Sequence, residues 1–349
     1  MAIAMVARDG CGSWNNSLPG PIYSFGDYLK QRFDCKTHKV TVNAGLSCPN
    51  RDGSKGRGGC TYCNNKSFNP NVRQQQSVIA EQIESGRKVV KKRRSATRVL
   101  AYFQAYSNTY GELAELRDLY QQALQCPGVV GLVIGTRPDC VSEDVLDVLA
   151  GYRQRGFEVW LEYGLQSAHD KTLIRINRGH SFEEYARAVR ITRERGLPVC
   201  THLILGLPGE DRAMMLETID RVRQLGSDGI KLHPLHVVRN TLLAHQWRKG
   251  NVSLLALFEY VSLACDILEK TPRQWAVHRL TGTASRDVLL APDWCSRKWS
   301  AINAIYAEMH RRGSSQGCRL GCGRALDENG AVSKLLQGGS SHVLQGVID

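Results

Sequence analysis

Short β-branched runs alternate with longer amphipathic stretches from about residue 40 to about residue 237 of this chain. Six runs have the composition of strands, and they lie at residues 39–43, 99–103, 129–134, 158–162, 199–205 and 229–233. Helical patterns separate them, at residues 77–94, 112–125, 143–155, 181–195 and 214–225. Six successive βα units predict one parallel sheet with right-handed crossovers. This periodicity fits an open doubly wound sheet and a partial barrel equally well.

The alternation ends after the sixth strand, and the region that follows has a different character. Residues 254–271 have the pattern of one helix, residues 275–280 that of a further strand, and another helix extends to about residue 312. Beyond Gly313 the chain is rich in glycine and serine without an apolar period, which is typical of a flexible tail. We therefore predict a flexible segment at 1–22, a core domain at 23–283, a helical C-terminal extension at 284–312 and a disordered tail at 313–349.

The cysteine content becomes informative once the cellular compartment is considered. No apolar run approaches the roughly 20 residues of a membrane helix, and the opening segment lacks the basic start of a secretion signal. We therefore expect a cytoplasmic protein, in which thiols stay reduced. Twelve cysteines in such a protein indicate metal binding or catalysis before disulfides. The net charge of +13 favours a polyanionic partner such as nucleic acid.

Three cysteines are concentrated in one glycine-rich stretch, Cys48 to Cys63, directly after the first predicted strand. Ligands of parallel sheets bind at the carboxyl ends of the strands. Closely spaced thiolates suit a soft metal or an iron–sulfur cluster. If Cys48, Cys60 and Cys63 hold a cluster of four irons, one iron keeps an open position for a substrate, as a catalytic metal site requires.

A zinc site is the alternative reading of the same region. Cys35 and His38, followed by Cys60 and Cys63, have acceptable zinc-ligand spacing, but this set leaves Cys48 unexplained. The other cysteines are scattered and typical of buried or surface thiols. Cys318 and Cys322 in the predicted tail are more easily explained as an accidental pair than as a second cluster.

Eight motifs occur in an order that is recognisable. They are CPNRDG (48–53), GGCTYCNN (58–65), YFQAYSNTY (102–110), IGTRPDC (134–140), GLQSAHD (164–170), NRGH (177–180), LGLPGE (205–210) and KLHPLH (231–236). Together they closely resemble the bacterial YhcC/YtqA-type radical-SAM family, relatives of the catalytic subunit of Elongator. The resemblance extends from about Tyr23 to about Arg312 and includes the family's long gap between its first two cysteines. The terminal tail departs from the family.

The resemblance implies a fold, two cofactors and a set of roles. The fold is a partial (βα)6 barrel, and the cofactors are a 4Fe–4S cluster on Cys48, Cys60 and Cys63 and S-adenosylmethionine (SAM). A flavodoxin- or ferredoxin-like electron donor reduces the cluster, and SAM then yields a 5′-deoxyadenosyl radical. Residues implied in SAM binding are Tyr62 and Gly206 near the adenine, Gln104, Ser107 and Asn108 at the amino and carboxylate groups, and Glu162 with Gln166 near the ribose.

Ordinary structural roles stand beside each of these assignments. Tyr62 could simply pack in its loop, the polar group at 104–109 could form a capping turn, and Gly206 could serve a strand-to-helix turn. His233 and His236 are candidates for substrate contact or proton transfer, or are buried histidines with satisfied hydrogen bonds. Arg137 and Arg178 could meet substrate or the SAM carboxylate, although ion pairs are the default for arginine.

The substrate is the least determined part of the reading. The leading hypothesis is the side chain of the tRNA wobble uridine, based on the Elongator resemblance, the basic charge and a basic run at residues 87–98. A helix carboxyl end also favours positive charge, so a solvated helix end explains part of that run. A small metabolite, as in porphyrin-forming relatives, or a peptide is the second hypothesis. A zinc-binding adaptor without enzymatic activity is the third.

Overall fold

The computed structural model of this chain describes residues 20–64, 78–94 and 96–320. Most of the predicted flexible N-terminal segment and the predicted tail from residue 321, including Cys322, lie outside these ranges. The side chains of Arg93 and Arg94 in the basic run are also outside the description.

Seven parallel strands form one curled sheet in the order β1-β2-β3-β4-β5-β6-β8. They span Thr37–Val42 (β1), Arg98–Phe103 (β2), Val129–Thr136 (β3), Glu158–Gln166 (β4), Val199–Leu205 (β5), Gly229–Pro234 (β6) and Ala276–Arg279 (β8). A short antiparallel pair, Val237–Val238 (β7) with Leu289–Ala291 (β9), lies beside it. The sheet confirms the predicted partial barrel, with a seventh strand where residues 275–280 predicted one.

Helices connect the strands and cover the sheet. They are Phe25–Phe33 (α1), Pro49–Asp52 (α2), Ile79–Arg94 (α3), Leu113–Gln125 (α4), Glu143–Gln154 (α5), Asp170–Arg175 (α6), Phe182–Glu194 (α7), Arg212–Leu225 (α8), Leu242–Arg248 (α9), Leu257–Glu269 (α10) and Lys298–Arg311 (α11). Ser142 and Ser181 cap α5 and α7 through their side chains, as their positions predict. The four helices α1, α2, α6 and α9 were not anticipated from the sequence, and three of them are too short for a clear period.

Helix α1 closes the seam that the curled sheet leaves between β1 and β8. The Val277 N–H donates to the Tyr23 carbonyl at 2.9 Å, and the Phe25 ring lies 3.8 Å from the His278 ring. A capping box formed by Ser24 and Asp27 begins the helix. The helix therefore plugs the amino end of the barrel.

Inward-facing side chains alternate between apolar and polar layers. Leu100, Trp160, Cys200 and Ala276 pack together on α1. Side chains two residues farther along a strand face the same side, and these form a polar layer above the apolar one. We call this layer the polar floor, and it comprises Lys39, Tyr102, Glu162, His202, Lys231 and His278.

The C-terminal extension packs α11 against α10 of the core domain, and a buried glutamine just beyond it also contacts the core. Gln316 accepts from the Tyr23 N–H at 2.9 Å and donates to the carbonyls of Pro272 and Trp275 at 2.8 Å each. The first residues of the predicted tail thus lie on the core domain, through a polar contact that an apolar pattern does not reveal. Within the described ranges, none of the helices is both long and apolar enough to cross a membrane.

Candidate functional site

A cavity of about 220 Å³ opens at the carboxyl ends of the strands. One side is formed by the loop that carries Cys48, Cys60 and Cys63, and the other by the ends of β4, β5, β6 and β8. Five of the seven residues predicted to bind SAM line it. They are Tyr62, Gln104, Ser107 and Gln166, together with Glu162 of the polar floor. The topology therefore brings the three cysteines and most of the predicted SAM residues to one place.

The loop between Cys48 and Cys60 folds back on itself, which explains how a long gap can bring both thiols to one cavity. The Pro49 carbonyl accepts the N–H groups of Lys55 and Gly56 at 2.9 and 3.1 Å, and the Gly59 N–H donates to Asn50 at 2.8 Å. Gly59 has a φ of +81°, a conformation in which glycine carries no steric penalty. The Asn50 amide donates to the Asn177 carbonyl at 2.5 Å, so a second loop secures the turn.

Arg178 places a buried positive charge beside Cys60. Its Nε and Nη2 donate to the Gly164 carbonyl at 3.1 and 2.5 Å, and its Nη1 lies 3.5 Å from Cys60 Sγ. A Cβ at Gly164 would come within 2.7 Å of Nη2, so glycine is needed for this approach. Burial opposes the charge, but Tyr62 and Cys60 keep the pKa of Arg178 above its ordinary value. A guanidinium at this position stabilises a thiolate.

The three thiols line one cavity. Burial, followed by the neighbouring Cys60, raises the pKa of Cys63 to about 12, so a thiolate here needs a bound cation to be stable. Arg51 and Arg178 provide part of that compensation. Thiolates around one cavity, with donors from Asn50 and Arg178 near a sulfur, are the surroundings that iron–sulfur clusters use.

The alternative zinc set is not brought together. Cys35 precedes β1 and contacts Thr37, and His38 lies near the amino end of β1. Cys60 and Cys63 lie at the carboxyl end of the sheet. A strand rises about 3.3 Å per residue, so β1 separates the two halves by much more than a zinc–ligand distance.

Two predicted SAM residues point elsewhere. Asn108 is fully buried, and its side-chain amide donates to the Gly135 carbonyl at 2.8 Å. Gly206 has a φ of +86°, and a Cβ there would lie 3.0 Å from the Leu255 side chain. The position of its missing side chain is therefore next to Leu255. Neither residue lines the cavity, and both have the structural roles that the sequence left open.

Glu162 has a set of protein partners that differs from the ribose hydroxyls expected for it. His278 Nδ1 and the Lys39 ammonium lie at one carboxylate oxygen, at 2.9 Å for the histidine. Lys231 and His202 lie at the other, at 2.7 and 2.8 Å. A carboxylate has about four acceptor sites, and four side-chain nitrogens surround this one.

The polar floor is an ionic network that remains charged at neutral pH. Lys231 and Lys39 overcome the effect of burial and hold the pKa of Glu162 well below its usual value. Burial and the charge of Lys231 lower the pKa of His202 to about 3, and burial with Lys39 does the same for His278. Glu162, Cys200 and His278 are close enough to hold a metal ion, but the two lysines already supply the positive charge.

Arg279 is one of the cavity residues that sequence reasoning missed. A register shift pairs Ile230 with Val277 and then Lys231 with Arg279, which leaves His278 as an extra residue. Bulges re-aim side chains, and here His278 reaches the polar floor while Arg279 lines the cavity. The Nε of Arg279 has no hydrogen-bond partner among the described residues. The only sequence signal was the predicted strand itself, which did not reveal the bulge.

His233 and His236 line the same wall, with their rings 4.7 Å apart. His233 Nδ1 lies 2.7 Å from the Pro234 carbonyl. Burial, assisted by the charge of Arg279, lowers the pKa of His236 to about 4 and that of His233 well below its usual value. Arg137 also lines the cavity, but it is paired with Asp139 and donates to the Arg178 carbonyl at 2.6 Å.

Comparisons with known proteins agree with this geometry. The model of the Radical SAM superfamily matches residues 50–222, and that of the Radical_SAM C-terminal domain matches residues 227–311. Protein YhcC of Escherichia coli K12 is 48% identical over 297 residues, which cover 85% of this chain and 94% of YhcC. A tRNA uridine(34) acetyltransferase of Methanocaldococcus jannaschii is 29% identical over 157 residues, 43% of this chain and 28% of that protein.

A solved structure shows the same fold. The archaeal Methanocaldococcus infernus Elp3 with an N-terminal deletion has a TM-score of 0.56 at 19% identity, covering 80% of this chain and 64% of that one. The chain therefore belongs to the radical-SAM superfamily and, within it, to the family that includes YhcC and YtqA, as an enzyme that uses a 4Fe–4S cluster and S-adenosylmethionine.

Proposed function

We propose that Cys48, Cys60 and Cys63 are the three protein ligands of the cluster and leave its fourth iron for SAM. The observation that carries this assignment is that all three line one cavity, because the residues between Cys48 and Cys60 fold into a compact turn. Held in this cavity, the two cofactors would supply the radical chemistry that removes hydrogen from a substrate.

The surrounding residues bind and orient the cofactor. Gln104 and Ser107 offer polar groups to the charged methionine part of SAM, which needs hydrogen-bond partners in a dry site, and Gln166 offers one to the ribose. Ser107 is anchored by its N–H to the Ser47 carbonyl at 3.2 Å, which links it to the cysteine loop. Tyr62 packs against an apolar group that includes Ile204 and Leu235, and so shields the cavity from water.

The test of this assignment is metal analysis of anaerobically reconstituted protein. We expect brown protein with about four irons that cleaves SAM when dithionite supplies electrons. Protein that binds zinc and no iron after the same treatment would contradict the assignment.

We propose tRNA as the substrate, modified at the side chain of the wobble uridine. The proposal is supported by the similarity to a tRNA uridine(34) acetyltransferase, which covers less than half of this chain, and by the net charge of +13. Mass spectrometry of tRNA nucleosides from cells with and without the gene tests it. An identical nucleoside profile would contradict it.

The basic run at residues 87–98 is the part of the surface most suited to RNA. It lies at the carboxyl end of α3, at the amino end of β2, so RNA that reached the cavity would extend around the barrel. Arg87 is paired with Glu84 at 2.8 Å, whereas Lys91 and Lys92 are exposed. Changing Lys91, Lys92, Arg93 and Arg94 to Gln should weaken tRNA binding and flatten its salt dependence. With fewer phosphate contacts, fewer counterions are released when the tRNA binds. Equal binding at low and moderate salt would leave the run as a solvated helix end.

Arg279 favours a second candidate, a small metabolite or a peptide with a carboxylate. Glu162 is the single acidic side chain among the described cavity residues, and its oxygens are engaged in the polar floor. A half-buried guanidinium whose buried Nε has no partner among the described residues suits an anionic substrate group. Co-purification of tRNA with the protein would favour the first candidate, and its absence, together with an unchanged nucleoside profile, the second.

We further propose a cytoplasmic location, where the free thiols stay reduced. A flavodoxin- or ferredoxin-like protein is the proposed source of the electron that a radical-SAM enzyme requires.

A further inference from the structure

Two large apolar side chains are exposed beside the cysteine loop. Ile174 on α6 is 79% exposed and Leu242 at the start of α9 is 55% exposed. Single exposed apolar residues are ordinary, but these two belong to helices whose ends contribute side chains to one buried apolar group, which includes Leu173, Ile176 and Leu243.

Both helices are hydrogen-bonded to the same residue of the cysteine loop. The Thr61 N–H donates to the Ile176 carbonyl at 3.0 Å, and the Leu243 N–H donates to the Thr61 carbonyl at 2.8 Å. Thr61 follows Cys60 directly and precedes Cys63 by two residues. Leu242 is therefore one residue and one hydrogen bond away from the peptide that joins two of the proposed cluster ligands.

The charged residues around this surface are mainly basic. The exposed side chains of α6 and α9 include Lys171, Arg175 and Arg248 against one acid, Asp170. The Asp170 carboxylate accepts from the Phe182 N–H at 2.7 Å, so it is partly occupied within the chain. We call Lys171, Ile174, Leu242 and Arg248 the docking patch.

We propose that the docking patch is the surface on which the electron donor binds, and that the donor is an acidic one-electron carrier protein. The proposal rests on the assignment of Cys48, Cys60 and Cys63 as cluster ligands. An apolar centre with a charged rim is the common form of a protein interface, and opposite charges steer an acidic partner to it.

The position explains how an electron could reach a buried centre. The reduced carrier loses one electron and the cluster held by the cysteines gains it, and no proton or leaving group moves. The route from the surface crosses the Leu243–Thr61 hydrogen bond and a few covalent bonds to Cys60. The cavity stays free for SAM and substrate, because Ile174 and Leu242 do not line it.

The experiment compares two sources of electrons on the reconstituted holoprotein. Two double variants of the docking patch are tested. The apolar variant combines Ile174→Glu with Leu242→Glu, and the charge variant combines Lys171→Glu with Arg248→Glu; both are compared with Phe258→Glu. Phe258 is 74% exposed on α10 and serves as the control. Calorimetry measures the dissociation constant for flavodoxin, and SAM cleavage is driven by reduced flavodoxin or by dithionite, a small reductant that needs no docking surface.

Both docking-patch variants should bind flavodoxin at least about tenfold more weakly and lose flavodoxin-driven cleavage in proportion, while dithionite-driven cleavage is unchanged. The control should behave as the wild type does. The proposal would be overturned if both patch variants bound flavodoxin with wild-type affinity. It would also be overturned if the control lost as much affinity as the patch variants, or if SAM cleavage fell equally with dithionite. Wild-type protein that binds flavodoxin but cleaves no SAM with dithionite would overturn the cysteine assignment instead, and the affinities would still decide the docking patch.

Discussion

The cysteine loop and the polar floor face each other across one cavity, and they are stabilised in opposite ways. The loop is held mainly by backbone hydrogen bonds, such as Gly59 to Asn50 and Thr61 to Ile176. Its three thiols are left facing the cavity. The polar floor is held by its own side chains, with both oxygens of Glu162 surrounded by donors from four strands.

This difference separates groups that can bind a ligand from groups that support one. A side chain whose polar atoms are already paired gains little by meeting a ligand, because an existing hydrogen bond must be broken first. Gln104 and the Nε of Arg279 are available in that sense, whereas the Glu162 carboxylate is engaged. Asn108 is engaged through its amide, which donates to Gly135, while its buried Oδ1 has no partner among the described residues. Substitutions on the two sides should therefore fail in different ways.

The largest effect is expected at the cysteines. Replacing Cys48, Cys60 or Cys63 by Ala should reduce the iron content from about four per chain to near zero and abolish SAM cleavage, because two thiolates cannot hold the cluster. Iron analysis and anaerobic SAM cleavage measure both. The matched control is Cys35→Ala, at the amino end of the barrel, which should keep its iron; loss of the cluster in that variant would contradict the three-ligand assignment.

Glu162→Gln should mainly affect stability. The substitution leaves the buried Lys231 and the partly buried Lys39 without their counter-charge, which costs about 3–5 kcal/mol of the free energy of unfolding. Urea unfolding under anaerobic conditions measures this cost. If the variant has wild-type stability but binds SAM weakly, the result would instead support the ribose contact that the sequence favoured for Glu162.

Gln104 and Asn108 form a matched pair on the same segment. Gln104→Ala should weaken SAM binding by about tenfold, equivalent to about 1.4 kcal/mol, with iron content and stability unchanged, because its side chain lines the cavity. Asn108→Ala should lower stability by about 0.5–1.5 kcal/mol, since it removes the side-chain hydrogen bond to the Gly135 carbonyl, which keeps the Asn108 N–H as a donor at 3.3 Å. Calorimetry with SAM and urea unfolding separate the two, and a reversed outcome would remove the distinction between available and engaged groups.

The effect that is smallest at neutral pH concerns acid sensitivity. Burial and Lys231 lower the pKa of His202 to about 3, below its ordinary value near 6.5, so between these values the unfolded chain binds the extra proton. Stability should therefore fall as pH falls through that window, with a contribution from His202 of up to about 1.4 kcal/mol per pH unit. His202→Gln should reduce the slope of unfolding free energy against pH by that amount between pH 6 and 4. An unchanged slope would show that His202 is charged in the folded protein.

The elements of the fold were largely predictable because each one is determined by a local period. Strand β5 begins and ends where residues 199–205 predict it, and α3, α5 and α7 agree to within two residues at each end. Helices α6 and α9 were missed because so few turns show no period. Strand β4 extends beyond the expected residue 162 to Gln166, since burial on both faces obscures where such a strand stops.

The candidate site also has features that follow from local sequence and features that do not. Cysteine spacing, the glycine-rich loop and the ordered motifs are local properties, so the sequence by itself determined the superfamily, the cofactors and which thiols to test. Only the tertiary structure decided that Glu162 is saturated by Lys39, Lys231 and two histidines, and that a bulge at His278 turns Arg279 into the cavity. Those facts depend on the register between strands far apart in the chain, and a shift of one residue exchanges the two faces of a strand. A single sequence carries no record of that register.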